Sequence, residues 1–374
     1  MRRFFVAAGV VVASVGIVAP ATSAHADFIR DRQWHLKSLD IAAAHRISTG
    51  KGVRVAVIDS GVGRHPDLSG SVLAGFDFVE KGGSGRTDKT GHGTGMAGLI
   101  AAHGRSGAGA LGIAPDAKIL PIRVLDTEQP RNAELGPAIR YAIAHGAQVI
   151  NISVGGGLDP ATITAVQAAA AADVVIVASA GNKPSDAGVT APAVLDSIVA
   201  VGAVDRSGQK ADISVTGPAL DLMAPGEDVE STSRNGRYRT GTGTSDSAAI
   251  VSGAAALLRS KYPDMSAEEV VQRLESTATD KGAPGVDPEY GHGIINIVAA
   301  LSDRTVPASD GQSAAPTTQQ PTTAPTNTAE AASPEPESKS SSTPLVAGGI
   351  VAVVVLALGG VLWLRRRRAS SSAG

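Results

Sequence analysis

The run Val53-Arg54-Val55-Ala56-Val57-Ile58 is a short β-branched stretch that ends at a polar residue, Asp59, and is typical of a buried β-strand. Four similar runs lie further along the chain, at residues 118–124, 148–153, 174–178 and 198–204. Helical patterns lie between the runs, at residues 95–102, 132–145 and 160–172. This alternation predicts βαβ units, and therefore an α/β fold with a doubly wound parallel sheet that carries helices on both faces.

Polar residues stand where several of these predicted strands end. Asp59 follows the first run, Ser153 ends the third, and Asn182 closely follows the fourth. In open parallel sheets, binding and catalytic sites form at the carboxyl ends of the strands. We therefore expect a functional site at this edge of the sheet.

Three short motifs place an aspartate, a histidine and a serine in that order along the chain. They are Val57-Ile58-Asp59-Ser60-Gly61, Gly91-His92-Gly93-Thr94-Gly95 and Gly243-Thr244-Ser245. One such motif alone is typical of a turn. The three together resemble the subtilisin family of serine proteases, whose chain order is Asp, His, Ser. The resemblance spans about residues 34–301 and implies a serine endopeptidase that acts on peptide or protein substrates.

The resemblance also implies a role for each residue. Ser245 would attack the scissile carbonyl, His92 would take its proton, and Asp59 would orient the imidazole. Asn182, in Ala178-Ser179-Ala180-Gly181-Asn182, would donate its amide to the oxyanion together with the backbone N–H of Ser245. The residues expected to bind the substrate are Ser153, Val154, Gly155, Gly156, Ala180 and Gly181.

Local patterns favour the same assignment of the nucleophile. Ser245 precedes residues 247–258, a stretch of small and apolar residues typical of a buried helix. The first turn of a helix offers free backbone donors and a positive dipole end. Asp246 departs from the family pattern, which has an apolar residue there. Two interpretations stay open: a favourable acidic residue in the first helical turn, or an inward carboxylate that opposes the oxyanion.

Composition excludes several function classes. The chain of 374 residues contains no cysteine, so disulfides, thiolate metal sites and a cysteine nucleophile are excluded. The two ends of the chain carry six arginines, and the segment between the two ends has a net charge of −8, so the whole chain has a net charge of −2. Without a basic stripe, nucleic acid is not an expected partner. No cofactor or metal site is predicted, and the turns at Asp205, Asp212 and Asp221 lack the density of acidic residues that would support structural calcium.

The sequence at each end of the chain predicts a segment that enters a membrane. Residues 1–26 resemble a signal peptide: Arg2-Arg3 form the basic start, an apolar core follows, and Ala24-His25-Ala26 resembles the cleavage site. The alternative is an anchor helix that is not cleaved. Residues 345–364 are uncharged and apolar over about the 20 residues that a membrane helix needs. Arg365-Arg366-Arg367-Arg368 then predict a cytoplasmic tail, residues 365–374. We expect a single-pass protein of the cell membrane with its peptidase domain outside.

Between these ends, residues 27–303 are the predicted peptidase domain and residues 304–344 a disordered stalk rich in Pro, Thr and Ser. This arrangement resembles the mycosins, membrane-anchored subtilases of type VII secretion systems, and so implies components of such a system as partners. The first hypothesis is an active, anchored endopeptidase. The alternatives are a scaffold of a secretion complex whose catalysis is weak or dispensable, and a surface binding module, which would require a misplaced Asp-His-Ser set.

Overall fold

The computed structural model describes residues 23–105, 108–127 and 135–302, with side chains from Phe28 onward. The predicted stalk, membrane helix and cytoplasmic tail lie outside these residues, as does the predicted signal peptide up to Thr22. Among the described residues, no helix combines the length and the hydropathy needed to cross a bilayer.

Within the described residues, seven parallel strands form the central sheet, in the order β2-β5-β1-β6-β7-β8-β9. Their bounds are β1 Arg54–Asp59, β2 Phe76–Asp77, β5 Lys118–Arg123, β6 Val149–Ile152, β7 Val175–Ser179, β8 Val199–Val204 and β9 Leu222–Pro225. Two antiparallel pairs accompany the sheet: β3 His103–Arg105 with β4 Ala108–Leu111, and β10 Val229–Thr232 with β11 Tyr238–Gly241. The predicted parallel sheet is confirmed.

Helices cover both faces of the sheet, as predicted. Alternate residues of β1 enter two separate cores: Val55 and Val57 on one side, Ala56 and Ile58 on the other. The first side carries α4 His92–Ala101, α7 Thr244–Lys261, α8 Ala267–Ser276 and α9 Ile297–Leu301, and the second side carries α5 Leu135–Ala144 and α6 Pro160–Ala171. A strand buried on both faces reads as a continuous apolar run, which is why β1 is recognisable in the sequence.

The structure differs from the sequence prediction mainly at short elements. α4 begins at His92 rather than at residue 95, because glycines weaken the helical pattern there. β2 has two residues, β9 has four and ends at Pro225, and β10 and β11 carry polar residues. Such segments lack the length and periodicity on which strand prediction depends.

The N-terminal segment packs onto the domain through α1 Ser23–Arg32, α2 Trp34–Ser38 and α3 Ile41–His45. The buried Gln33 carboxamide donates to the carbonyl oxygens of Leu111 and Glu230 and accepts from Leu111 N–H at 2.8 Å. It thereby connects β4 to β10. The predicted cleavage site lies within α1, and cleavage there stays a prediction.

Candidate active site

A cleft of about 790 Å³ lies at the carboxyl edge of the sheet. It brings together most of the predicted site residues: His92, Ser153, Val154, Gly155, Gly156, Gly181, Asn182 and Ser245. Asp59, at the end of β1, is buried behind His92. The elements that carry these residues are adjacent in space because parallel strands end at one edge of the sheet.

Asp59 and His92 are in direct contact. His92 Nδ1 lies 2.9 Å from each carboxylate oxygen of Asp59, and Ser60 N–H donates to Oδ1 at 2.7 Å. Gly93 permits this approach, because a Cβ there would lie 2.2 Å from the carbonyl oxygen of Gly61 and 3.0 Å from Asp59 Oδ1. The carboxylate therefore fixes both the position and the tautomer of the imidazole, with the proton on Nδ1 and Nε2 free to accept.

Asp88 stabilises the start of α4, whose first residue is His92. Its Oδ1 accepts from Gly91 N–H at 2.8 Å and from Ser60 Oγ at 3.0 Å, and its Oδ2 accepts from Thr94 N–H at 2.9 Å. A carboxylate at this position satisfies free donors of the first turn of α4 and complements the helix dipole. This role of Asp88 could not be predicted from the sequence.

The electrostatics of the site raise the pKa of His92. Its side chain is 31% exposed. Burial lowers the pKa of His92, but the charge and hydrogen bond of Asp59 raise it, and the net result is a pKa above the ordinary value. An imidazole of this kind accepts a proton readily in the transition state, provided that the pH keeps it neutral beforehand.

Ser245 occupies the first turn of α7, whose residues 244–259 are all buried. Within the described residues, the hydrogen bond donated by Ser245 Oγ goes to the carbonyl oxygen of Ser153, at 3.3 Å, rather than to His92. Ser153 Oγ in turn donates to the carbonyl oxygen of Ser245 at 3.2 Å. Asn151, which the sequence analysis misses, donates to Ser153 Oγ at 2.9 Å and so links β6 to this contact.

The side chain of Asn182 is oriented by the start of α7. Its Oδ1 accepts from Thr244 N–H at 2.9 Å and from Thr244 Oγ1 at 3.2 Å. Because the oxygen is engaged by donors, the amide N–H₂ is the group left for the cleft. Thr244, which is fully buried, is a positioning residue that the sequence analysis misses.

Because Asn182 is the predicted oxyanion donor, its replacement by alanine is expected to lower kcat by about 100- to 1000-fold, the usual effect of removing one such donor. KM should change little, because the lost hydrogen bond forms in the transition state. Steady-state kinetics on a peptide amide will test this. Thr244→Val, which keeps the amide but removes one of its anchors, should lose less. A decrease in kcat below about fivefold for Asn182→Ala would exclude the oxyanion role.

The predicted substrate-binding residues are not equivalent. Residues 153–156 line the cleft, although Gly156 N–H already donates to the carbonyl oxygen of Ala191 at 3.1 Å. Ala180 differs from the prediction. Its side chain is buried, its N–H donates to Val201, and its carbonyl oxygen accepts from Thr190. Because these hydrogen bonds are internal, Ala180 lies behind the wall of the cleft and supports it. Gly181 lines the cleft itself.

Asp246 combines the two interpretations left open by the sequence. It lies in the first turn of α7, as expected of a favourable acidic residue, yet it is only 1% exposed. Arg239, on β11, pairs with it at 3.1 Å and also lines the cleft. The contact of Arg239 could not be predicted from the sequence, because only the folded structure shows that Asp246 is buried and lies against it.

The described residues contain no group of three or more His, Cys, Asp or Glu side chains placed to hold a metal ion. Asp205 accepts instead from backbone N–H groups of its own turn, at Ser207 and Gln209. Asp221 accepts from Ala200 N–H at 2.7 Å. Independence of a metal stays a prediction.

The chain is similar to known proteins in sequence and in structure. The sequence model of the subtilase family matches residues 50–293. The subtilisin of Bacillus pumilus is 41% identical over 258 residues, which cover 67% of this chain and 92% of that protein. The structure of MycP1 from Mycobacterium smegmatis is similar with a TM-score of 0.67 and 31% identity, covering 76% of this chain and 87% of that one. The MycP3 protease from the type VII (ESX-3) secretion system is similar with a TM-score of 0.64 and 34% identity, covering 76% and 90%.

Proposed function

This chain belongs to the subtilase family and is a subtilisin-like serine endopeptidase, and we propose that Asp59, His92 and Ser245 are its catalytic triad. The observation that carries the proposal is the contact of His92 Nδ1 with both oxygens of Asp59, in the cleft that also contains Ser245. This contact leaves Nε2 as the acceptor for the serine proton.

The proposed reaction follows from these positions. The Ser245 hydroxyl turns from the carbonyl of Ser153 to His92 Nε2, gives up its proton there, and forms a bond to the scissile carbonyl carbon. Asn182 and the N–H of Ser245 stabilise the oxyanion. The imidazolium then protonates the leaving amine as the carbon–nitrogen bond breaks, and water hydrolyses the acyl-enzyme by the same steps in reverse.

A fluorophosphonate labelling experiment tests the proposal. One equivalent should attach to Ser245, as located by mass mapping of peptides. The rate should rise with pH through a midpoint above the ordinary histidine pKa of about 6.5, because only neutral His92 accepts the proton and its pKa is raised. Heat-denatured protein is the control. Absence of labelling throughout the range from about pH 6 to pH 9 would contradict the proposal.

The proposed location is the outer face of the cell membrane, with the chain anchored by residues 345–364 and exported through residues 1–26. The support is the uncharged apolar run followed by four arginines. A role in type VII secretion is proposed by analogy with MycP3, described as a protease from the type VII (ESX-3) secretion system. The substrates would be proteins or peptides of that pathway.

The buried carboxylate of Asp246, one residue beyond Ser245, favours a second candidate: a scaffold of the secretion complex whose catalysis is weak or dispensable. Secretion measured in a strain with a chromosomal Ser245→Ala substitution, and in a strain with the whole gene deleted, distinguishes the peptidase from the scaffold. A scaffold retains secretion in the point variant and loses it in the deletion. Equal secretion defects would exclude the scaffold.

A further inference from the structure

A buried ion pair lies one residue beyond Ser245. The two carboxylate oxygens of Asp246 accept from Arg239 Nη1 at 3.1 Å and from Arg239 Nη2 at 3.2 Å. Asp246 is 1% exposed and the Arg239 side chain 21% exposed. Two parallel hydrogen bonds are the strongest form of an arginine–carboxylate contact. The buried charge nearest to Ser245 along the chain therefore has its own counter-ion.

Two glycines make room for this guanidinium. A Cβ on Gly95, in α4, would lie 2.6 Å from Arg239 Nη1. A Cβ on Gly241, in β11, would lie 2.0 Å from Arg239 Nη2 and 2.7 Å from Asp246 Oδ1. The guanidinium thus occupies a slot bounded by the backbone of two elements. Such a slot fixes the pair more firmly than a contact between surface side chains.

The ion pair of Arg239 and Asp246 lies next to the proposed catalytic groups. Arg239 lines the same cleft as His92, Asn182 and Ser245. Besides burial and Asp59, Arg239 lowers and Asp246 raises the pKa of His92. Other charged groups near the cleft make contacts of their own: Asp88 with Gly91 and Thr94, Asp186 with Asn182 N–H, and Arg234 with the carbonyl oxygen of Lys89.

We propose that Arg239 is a positioning residue that neutralises Asp246, so that the first turn of α7 can stabilise the oxyanion despite a carboxylate beside the nucleophile. This inference rests on the proposed function, since it takes Ser245 as the nucleophile. An unpaired carboxylate there would oppose the developing negative charge of the transition state. It would also hold a proton on His92, whereas an unpaired guanidinium would favour the neutral imidazole.

A double-variant cycle on the full chain tests the inference. kcat/KM on an uncharged peptide amide is measured against pH for the wild type, Arg239→Gln, Asp246→Asn and the double variant. Arg239→Gln should raise the apparent pKa of His92 and lower the plateau by about tenfold or more. Asp246→Asn should lower the apparent pKa, each shift being about half a pH unit or more. The double variant should return the apparent pKa toward the wild-type value.

Two further variants separate charge from structure. Arg239→Lys keeps the positive charge but loses the paired hydrogen bonds, so its apparent pKa should stay near that of the wild type. Glu289→Gln makes a charge change outside the cleft, in a surface pair with Lys210 at 3.9 Å, and should not move the pKa.

The inference is overturned if both single variants lose activity without moving the apparent pKa in opposite directions. The pair would then be only a structural tie. If Arg239→Gln does not fold, Asp246→Asn and Arg239→Lys still decide the question through the same profiles. Hydrolysis by Ser245→Ala within about a hundredfold of the wild-type rate would instead defeat the proposed function, whatever the profiles show.

Discussion

Ser245→Ala is expected to lower kcat on the order of a millionfold, because it removes the hydroxyl that we propose attacks the carbonyl. Asn182 and the first turn of α7 stay in place in this variant. They should leave a residual rate of about 10³ to 10⁴ over the uncatalysed reaction. KM or the affinity for a peptide should change little, because the bond from this hydroxyl to the substrate forms only in the transition state. Within the described residues the hydroxyl donates to the carbonyl oxygen of Ser153, at 3.3 Å.

The measurement is single-turnover hydrolysis of a peptide amide, with thermal unfolding followed in parallel. Ser207→Ala, in a surface turn with Asp205, is the matched control and should behave as the wild type. Residual activity within a hundredfold of the wild type would mean that another residue is the nucleophile.

Asp59→Asn is expected to lower kcat about 10⁴-fold while leaving the fold intact. Ser60 N–H donates to Oδ1 at 2.7 Å and should keep an oxygen at that position in the variant. The new amide N–H₂ then takes the Oδ2 position, 2.9 Å from His92 Nδ1, where it favours the tautomer with the proton on Nε2. That tautomer cannot accept the serine proton.

The pH profile identifies this mechanism. The charge and hydrogen bond of Asp59 raise the pKa of His92 against the effect of burial, so their loss should lower the pKa. The residual activity of Asp59→Asn should therefore rise at a lower pH than that of the wild type. Asp205→Asn, the same change in a surface turn, is the control. An unchanged profile would show that Asp59 does not act on the imidazole.

The sequence predicts the sheet well because its strands are buried on both faces. The run before Asp59 and the run at residues 118–124 correspond to β1 and β5 within one residue at each end. It also predicts that Asp59, Ser153 and Asn182 lie at one edge, since that follows from parallel topology alone. β9 and the pair β10–β11 could not be predicted, because β9 ends in a proline and β10 and β11 contain polar residues, so that none of them forms a continuous apolar run.

The site is predictable in its glycine-flanked motifs and not in the contacts that orient them. Thr244 bonds to Asn182 across 62 residues, and Asp88 bonds to Ser60 across 28. No local pattern encodes such pairs, because they depend on the packing of distant segments. Asn151 is the exception: a polar residue inside the apolar run Val149–Ile152 signals an internal partner.

The hydrogen bonds from Thr244 to Asn182 have a mechanical consequence. The loop after β7 and the N-terminus of α7 share one anchor, so thermal displacement of the helix carries the amide donor and the serine in the same direction. We therefore expect the distance between the Asn182 amide and Ser245 to change little during slow conformational fluctuations of the domain. Loosening this anchor should broaden the distribution of that distance before it lowers the overall stability.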